Sequence, residues 1–298
     1  MPTRFAGWLG PASSSHPKGC PVDYPTEEFL DVDVEVADQV ATVRISPNFR
    51  HDQRKAARAW VHWELGEVFS RLRGDNDVRV VILTGAQDGA FQVPPRTDVL
   101  SSTDAEEARV DPVWTWKVFT GTVRVLENMV LMEKPIIARV NGDAIGFGQN
   151  LMYACDLIYA REDARIADMH MGVGEVAPYG AKYSLVPGDG GAVFAPLNMA
   201  PALAKEYLML SKEYRASELA AMHVINAAVP MEQLDEVVDD VVRRLLKRSS
   251  YALAWTKRVS NKAVVNQLNA TVDAAAAYEA LNFYQLAQMG WKDAERLV

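Results

Sequence analysis

Apolar and polar residues alternate through VDVEVADQVATVRI, residues 32–45, on both sides of a break at Ala37–Gln39. A period of two with a turn at its centre predicts a β-hairpin. The period then lengthens. Within KAARAWVHWELGEVFSRL, residues 55–72, Val61, Leu65, Val68 and Leu72 share one helical face, and Gly74, Asp75 and Asn76 end that helix. The run VRVVILTG (78–85) predicts the next strand. The order recurs with a helix around Trp114 to Met132, the strand PIIARVNG (135–142), a glycine-containing turn, a helix from near Gly148 and the strand DLIYARE (156–162).

Strands separated by helices of this length need crossover connections, which predicts an α/β architecture with largely parallel pairing. After Pro201 the pattern becomes mainly helical: ALAKEYLML, ASELAAMH, LDEVVDDVVRRLLKR, ALAWTKRVSNKAV and a long last helix from about Thr271 to Leu297. Residues 1–28, rich in Pro, Ser and Gly, predict an extended arm. The expected organisation is this arm, an α/β core over 29–200 and a helical region over 201–298, with no low-complexity linker between them.

Composition narrows the function classes. A chain of 298 residues with 49% hydrophobic content can bury a large core. Its 31 basic residues against 39 acidic ones give a formal charge of -8, which argues against nucleic acid or an anionic membrane as the main partner. The apolar runs are too short to span a bilayer and the N-terminus lacks a secretion-signal block. Cys20 and Cys155 match no metal or redox spacing, so the expected compartment is the reducing cytoplasm, with no metal and no cofactor.

The candidate chemistry lies in KPIIARVNGDAIGFGQNLMYACDLIYA (134–160), ADMHMGVG (167–174) and VPGDGG (186–191). With VVILTGAQDGAF (80–91) before them, these segments resemble the crotonase, or enoyl-CoA hydratase and isomerase, superfamily over residues of about 30 to 290. The resemblance implies a spiral of ββα units, a C-terminal helical trimerisation region and an oxyanion hole of two backbone N–H groups. Gly146-Phe147-Gly148 opens a helix, where unpaired N–H groups and the helix dipole coincide, so Phe147 is one expected donor. Relative to the family's loop after the preceding strand, the first donor is expected to shift to Thr97, because Pro94 and Pro95 in FQVPPRTDVL carry no N–H.

Departures from that family redirect the chemistry. Its hydratases use two glutamates, and the matching positions hold Asn150 and His170. An amide cannot exchange protons near neutral pH, so Asn150 orients a group while His170 titrates in the useful range. Asp189 is the expected carboxylate on the other ring nitrogen, fixing the tautomer. A histidine with this aspartate resembles the β-diketone hydrolase branch, typified by 6-oxocamphor hydrolase. There the VPGDG motif matches Val186–Gly190, a helix histidine matches His62, and a C-terminal glutamate matches Glu279 in YEAL, whereas a further histidine of that branch is Phe147 here.

The implied function is retro-Claisen cleavage of a 1,3-diketone, with His170 and Asp189 as base and His62 and Glu279 handling water or the enolate proton. The expected partners are a small diketone and further copies of the chain in a homotrimer or a dimer of trimers. An acyl-CoA enzyme is the alternative within the same superfamily, with Lys247, Arg248, Lys257, Arg258 and Lys262 as a phosphate-facing patch. A non-catalytic oligomeric binding protein is the third. Residues 175–185, with Tyr179, Lys182 and Tyr183, form an insertion expected as a surface excursion or a substrate lid.

Overall fold

A computed structural model of the chain describes residues 29, 31–46, 61–94, 96, 106, 109–172, 176–179 and 182–291. The expected N-terminal arm and the helical residues before Val61 lie outside that set. The hairpin is present. Strands β1 (Val32–Ala37) and β2 (Val40–Ile45) pair antiparallel around Asp38 and Gln39, whose φ angles of 48° and 68° are those of a primed hairpin turn. Helix α1 (Val61–Gly74) buries the predicted stripe of Val61, Leu65, Val68 and Leu72.

From β3 onward the unit is strand, short strand, helix. β3 (Val80–Gly85) and β4 (Gly89–Gln92) precede α2 (Pro112–Leu131), which Asp111 caps by accepting from the N–H groups of Val113 and Trp114. β5 (Ile136–Val140) and β6 (Gly142–Ile145) precede α3 (Phe147–Tyr153). β7 (Leu157–Arg161) and β8 (Arg165–Ala167) precede α4 (Gly191–Asn198). The first strand of each pair joins one sheet and the second joins another, giving the orders β1-β2-β3-β5-β7-β10 and β4-β6-β8-β9. β2, β3, β5 and β7 run parallel, as the crossovers require.

The chain after Pro201 is α5 (Pro201–Met209), β9 (Tyr214–Arg215), α6 (Ala216–Ala221), β10 (Ala227–Val229), α7 (Met231–Leu246), α8 (Ser250–Ser260) and α9 (Lys262–Met289). Two differences from the pattern stand out. β9 and β10 return to the sheets, pairing with β8 and β7. The last helix starts at Lys262, so the break predicted before Thr271 falls at Asn261 instead. Asn261 is pinned there by its side-chain N–H, which donates to the Val130 carbonyl at the end of α2.

Helix α8 is held down by Lys257. Its buried ammonium lies 2.7 Å from Asp156 and donates to the carbonyls of Met129 and Lys134. That internal use corrects its expected place in a phosphate-facing patch, of which Lys247, Arg248, Arg258 and Lys262 remain exposed. The main core joins α1, α2, the larger sheet, α4, α5 and α9 around residues such as Phe69, Leu126, Phe194 and Tyr207. No helix among the described residues is long and apolar enough to cross a membrane.

Candidate active site

Four segments converge at one end of the smaller sheet. β8 stops at Ala167, and the next residues, Asp168 to His170, fold back on themselves. The His170 backbone N–H donates to Asp168 Oδ1 at 2.9 Å, and the ring Nδ1 lies 2.8 Å from the same oxygen. A carboxylate bonding the N–H two residues on is an Asx turn, a local preference of aspartate. Alongside, Gly146 donates its N–H to the Ala167 carbonyl at 2.9 Å and starts α3 with a φ of 60°. This places Gln149 and Asn150 beside Asp168. The VPGDGG turn brings in Asp189, and Gly190, at a φ of 123°, opens α4. Helix α9 supplies Glu279.

Side chains from these segments meet around one imidazole. His170 Nε2 lies 3.6 Å from Asp189 Oδ2 and 3.5 Å from Glu279 Oε1. Asn150 Nδ2 donates to Asp189 Oδ1 at 2.6 Å. His170, Asp168, Asp189, Asn150 and Glu279 are all buried. Glu279 Oε2 has no hydrogen-bond partner among the described residues.

Burial of one imidazole among three carboxyl groups decides the charges. Desolvation is the largest single effect on His170 and favours the neutral ring. The charges of Asp189 and Asp168, with the hydrogen bonds to Asp168 and Glu279, outweigh it together and hold the ring well above its ordinary range. His170 is therefore an imidazolium near neutral pH. Asp189 is pushed up to about 7, chiefly by burial, with Glu279 and Asp168 adding to the rise and the His170 charge opposing it. Asp168, His170 and Asp189 each offer an atom with which to ligate a cation. A metal ion there would compete with the ring proton for the same carboxylates.

The expected residues fall into two groups and one remainder. His170, Asp189, Asn150 and Glu279 form the cluster. His62, buried on α1, lies against Phe147 with ring centroids 4.1 Å apart and planes tilted by 37°, so these two form a neighbouring pair. Thr97 lies outside the described residues. One expected role is corrected: the carboxylate on Nδ1 is Asp168, and Asp189 faces Nε2 with Glu279. The local turn decides this, because Asp168 reaches the ring and the backbone of the same residue at once. In the insertion, Tyr183 is buried, its hydroxyl donating to Glu106 at 2.9 Å.

Asp168, Gln149 and Arg109 escaped the sequence pattern. Asp168 had a signal, its position two residues before His170. Arg109 had none. It is buried over the Phe283 ring at 5.7 Å, one turn along α9 from Glu279, and burial lowers its guanidinium to about 10 against the opposing charges of Glu106, Tyr183 and Glu279.

The turn carrying Asp189 tolerates little. A Cβ at Gly188 would lie 2.5 Å from Glu279 Oε2 and 2.7 Å from the Ala275 carbonyl. Gly188→Ala is expected to cost ~1–3 kcal/mol of stability, as overpacking does, and to lower activity because α9 or the turn must move. Thermal unfolding and steady-state kinetics check it, and an unchanged Tm contradicts it.

The fold is that of a known enzyme family. The enoyl-CoA hydratase/isomerase family matches residues 50–293, and the chain belongs to it. It is 28% identical over 217 residues to a crotonyl-CoA hydratase of Syntrophomonas wolfei, covering 73% of this chain and 75% of that one. It is also 28% identical over 204 residues to a carnitinyl-CoA dehydratase of Escherichia coli, covering 68% and 71%. Among solved structures, an enoyl-CoA hydratase/isomerase from Mycobacterium paratuberculosis superposes with a TM-score of 0.70 at 25% identity, over 85% of this chain and 93% of that one. A β-diketone hydrolase from the cyanobacterium Anabaena superposes at 0.72 and 22% identity, over 88% and 97%, a likeness of fold.

Proposed function

We propose that this member of the family is a hydrolase that cleaves a carbon-carbon bond of a 1,3-diketone by adding water to one carbonyl. One observation carries the proposal: Asp189 is bracketed by Asn150 on Oδ1 and His170 on Oδ2. These are the two positions at which the sequence resemblance places the hydratase glutamates. One is now an amide and the other an imidazole backed by Asp168.

The His170–Asp189 pair acts as a unit, since the two groups share charge and titrate together. In its singly protonated form it accepts a proton from water as the water oxygen bonds the carbonyl carbon. The tetrahedral oxyanion collapses, the carbon-carbon bond breaks, and its electron pair becomes the enolate of the neighbouring carbonyl. The pair then returns the proton to the enolate carbon, giving a carboxylic acid and a ketone. Phe147 opens α3, where backbone N–H groups have no intrahelical acceptor, and its N–H is the donor assigned to the oxyanion. Glu279 holds the proton-transfer side of the ring.

The charges set a pH dependence. Turnover needs the pair with Asp189 ionised, and burial pushes that carboxyl up to about 7. Below that pH it is protonated, so kcat/KM should fall about tenfold per pH unit, and above it should level. A flat profile between about pH 5.5 and 8 contradicts this assignment.

The second reading, an acyl-CoA enzyme, is favoured by the two relatives, whose names are those of acyl-CoA hydratases and dehydratases. Separate incubations with a cyclic 1,3-diketone and with crotonyl-CoA distinguish the two. Cleavage of the diketone supports the proposal; hydration of the thioester with no diketone cleavage overturns it. The proposal also carries a homotrimer or a dimer of trimers. Helix α8 exposes Tyr251, Trp255 and Val259 along one face, a surface suited to contact between copies. Light scattering should then return three or six chain masses.

A further inference from the structure

The hydrogen bonds and one ion-pair contact around His170 close into a ring of side chains. Asp168 Oδ1 meets His170 Nδ1, and His170 Nε2 faces Asp189 Oδ2. Asp189 Oδ1 accepts from Asn150 Nδ2, while Asn150 Oδ1 accepts from Gln149 Nε2. The same Gln149 nitrogen lies 3.4 Å from Asp168 Oδ2, which completes the circuit. Gln149 is fully buried, and so is Tyr207 on α5, whose hydroxyl donates to Gln149 Oε1 at 3.3 Å from outside the ring.

An amide has two ends, and in an enclosed site each end must match its neighbour. The Asp168 carboxylate only accepts, so it draws the Gln149 NH₂ toward itself and Asn150, which leaves Oε1 to accept from the Tyr207 hydroxyl. Asn150 must then present its carbonyl to Gln149 and its NH₂ to Asp189. Each orientation follows from the one before it. Reversing Gln149 would set its oxygen against the Asp168 carboxylate and against the Asn150 oxygen. A Cβ at Gly191 would lie 2.6 Å from Asp168 Oδ2, so that oxygen is enclosed between Gln149 and the start of α4.

We propose that Gln149, held by the Tyr207 hydroxyl, is a positioning residue that ties together the two aspartates on opposite sides of His170. Neither residue touches the reacting atoms in this assignment. Both act through Asp168 and Asn150 on the geometry and charge of the His170–Asp189 pair, so the inference rests on the proton-transfer role given to that pair above. The charged groups facing the ring are Asp168 beside β8, Asp189 in the turn before α4 and Glu279 on α9, with Arg109 acting on Glu279.

The test is a double-mutant cycle with Tyr207→Phe and Gln149→Met in the full chain. Its first readout needs no substrate: the downfield proton NMR signal of the His170 Nδ1–H, identified by its loss in His170→Ala. Its second is kcat, KM and the pH profile on whichever substrate the protein turns over. Tyr207→Phe removes one oxygen and should lower kcat about fivefold to tenfold, the scale of one net hydrogen bond, with KM within about twofold. The acid limb should move to higher pH, because a carboxylate that loses an N–H donor binds its proton more tightly. The Nδ1–H signal should shift, and the double variant should resemble Gln149→Met alone.

Unchanged signal and pH limb overturn the proposal even if kcat or Tm falls, since a purely structural role would leave both in place. Additive effects overturn it as well. If Gln149→Met does not fold, Tyr207→Phe alone decides through signal and limb. Failure of the diketone assignment is seen separately, as turnover of crotonyl-CoA instead, and leaves the NMR arm intact.

Discussion

His170→Ala should lower kcat/KM on a 1,3-diketone by about 10²-fold to 10⁴-fold, the usual weight of a positioned proton-transfer group. The structure makes the expectation sharper than general experience does. The ring contacts Asp168, Asp189 and Glu279 together, at 2.8, 3.6 and 3.5 Å. Its loss also removes the positive charge among three buried carboxyl groups. The Asp189 carboxyl, already raised by burial, loses the His170 charge that opposes the rise and holds its proton more tightly, so the variant's stability should fall as pH rises. Kinetics at a pH where unfolding curves show the variant folded separates the two effects. Turnover within a few-fold of wild type contradicts the role of His170.

Asp168→Asn should be nearly as damaging, on the order of 10²-fold to 10⁴-fold in kcat, without a change of side-chain size. Asp168 Oδ1 faces both the backbone N–H and Nδ1 of His170, while Oδ2 faces Gln149 Nε2. An amide can serve only one of those sides. With its oxygen toward His170, its NH₂ opposes the Gln149 NH₂; with its NH₂ toward His170, the ring must give up its Nδ1 proton and adopt the other tautomer. Either way the imidazolium loses a counter-charge and its pKa falls toward the ordinary range. Kinetics with NMR titration of the ring check this. A variant of normal activity and unchanged ring titration would show that Asp168 is a turn-former alone.

Much of the fold was legible because its long elements obey simple periods. The hairpin, β3, β5, β7 and the apolar stripe of α1 each extend far enough for period two or 3.6 to show. β4, β6, β8 and β9 span too few residues to alternate, and what defines them is the close approach of one chain segment to another. A Cβ at Gly142 would sit 1.9 Å from the Gly89 backbone, a contact that no local pattern announces. The site divides similarly. The convergence of His170, Asp189, Asn150 and Glu279 followed from the likeness to a family. The orienting role did not, because Asp168 takes it through a two-residue turn, while the expected partner is nineteen residues away in the chain. Gln149 and Arg109 owe their places to helices packing from elsewhere, and Lys257, a helix-surface lysine by pattern, is buried against Asp156.

In the proposed reaction water enters at a diketone carbonyl and a carbon-carbon bond breaks. Turnover of a cyclic 1,3-diketone in ¹⁸O-labelled water containing deuterium oxide, followed by mass spectrometry, tests it most directly. One ¹⁸O should appear in the new carboxyl group and one solvent deuterium on the carbon released as enolate, with both lost in His170→Ala. An intact diketone, in a protein that hydrates crotonyl-CoA under the same conditions, would contradict it.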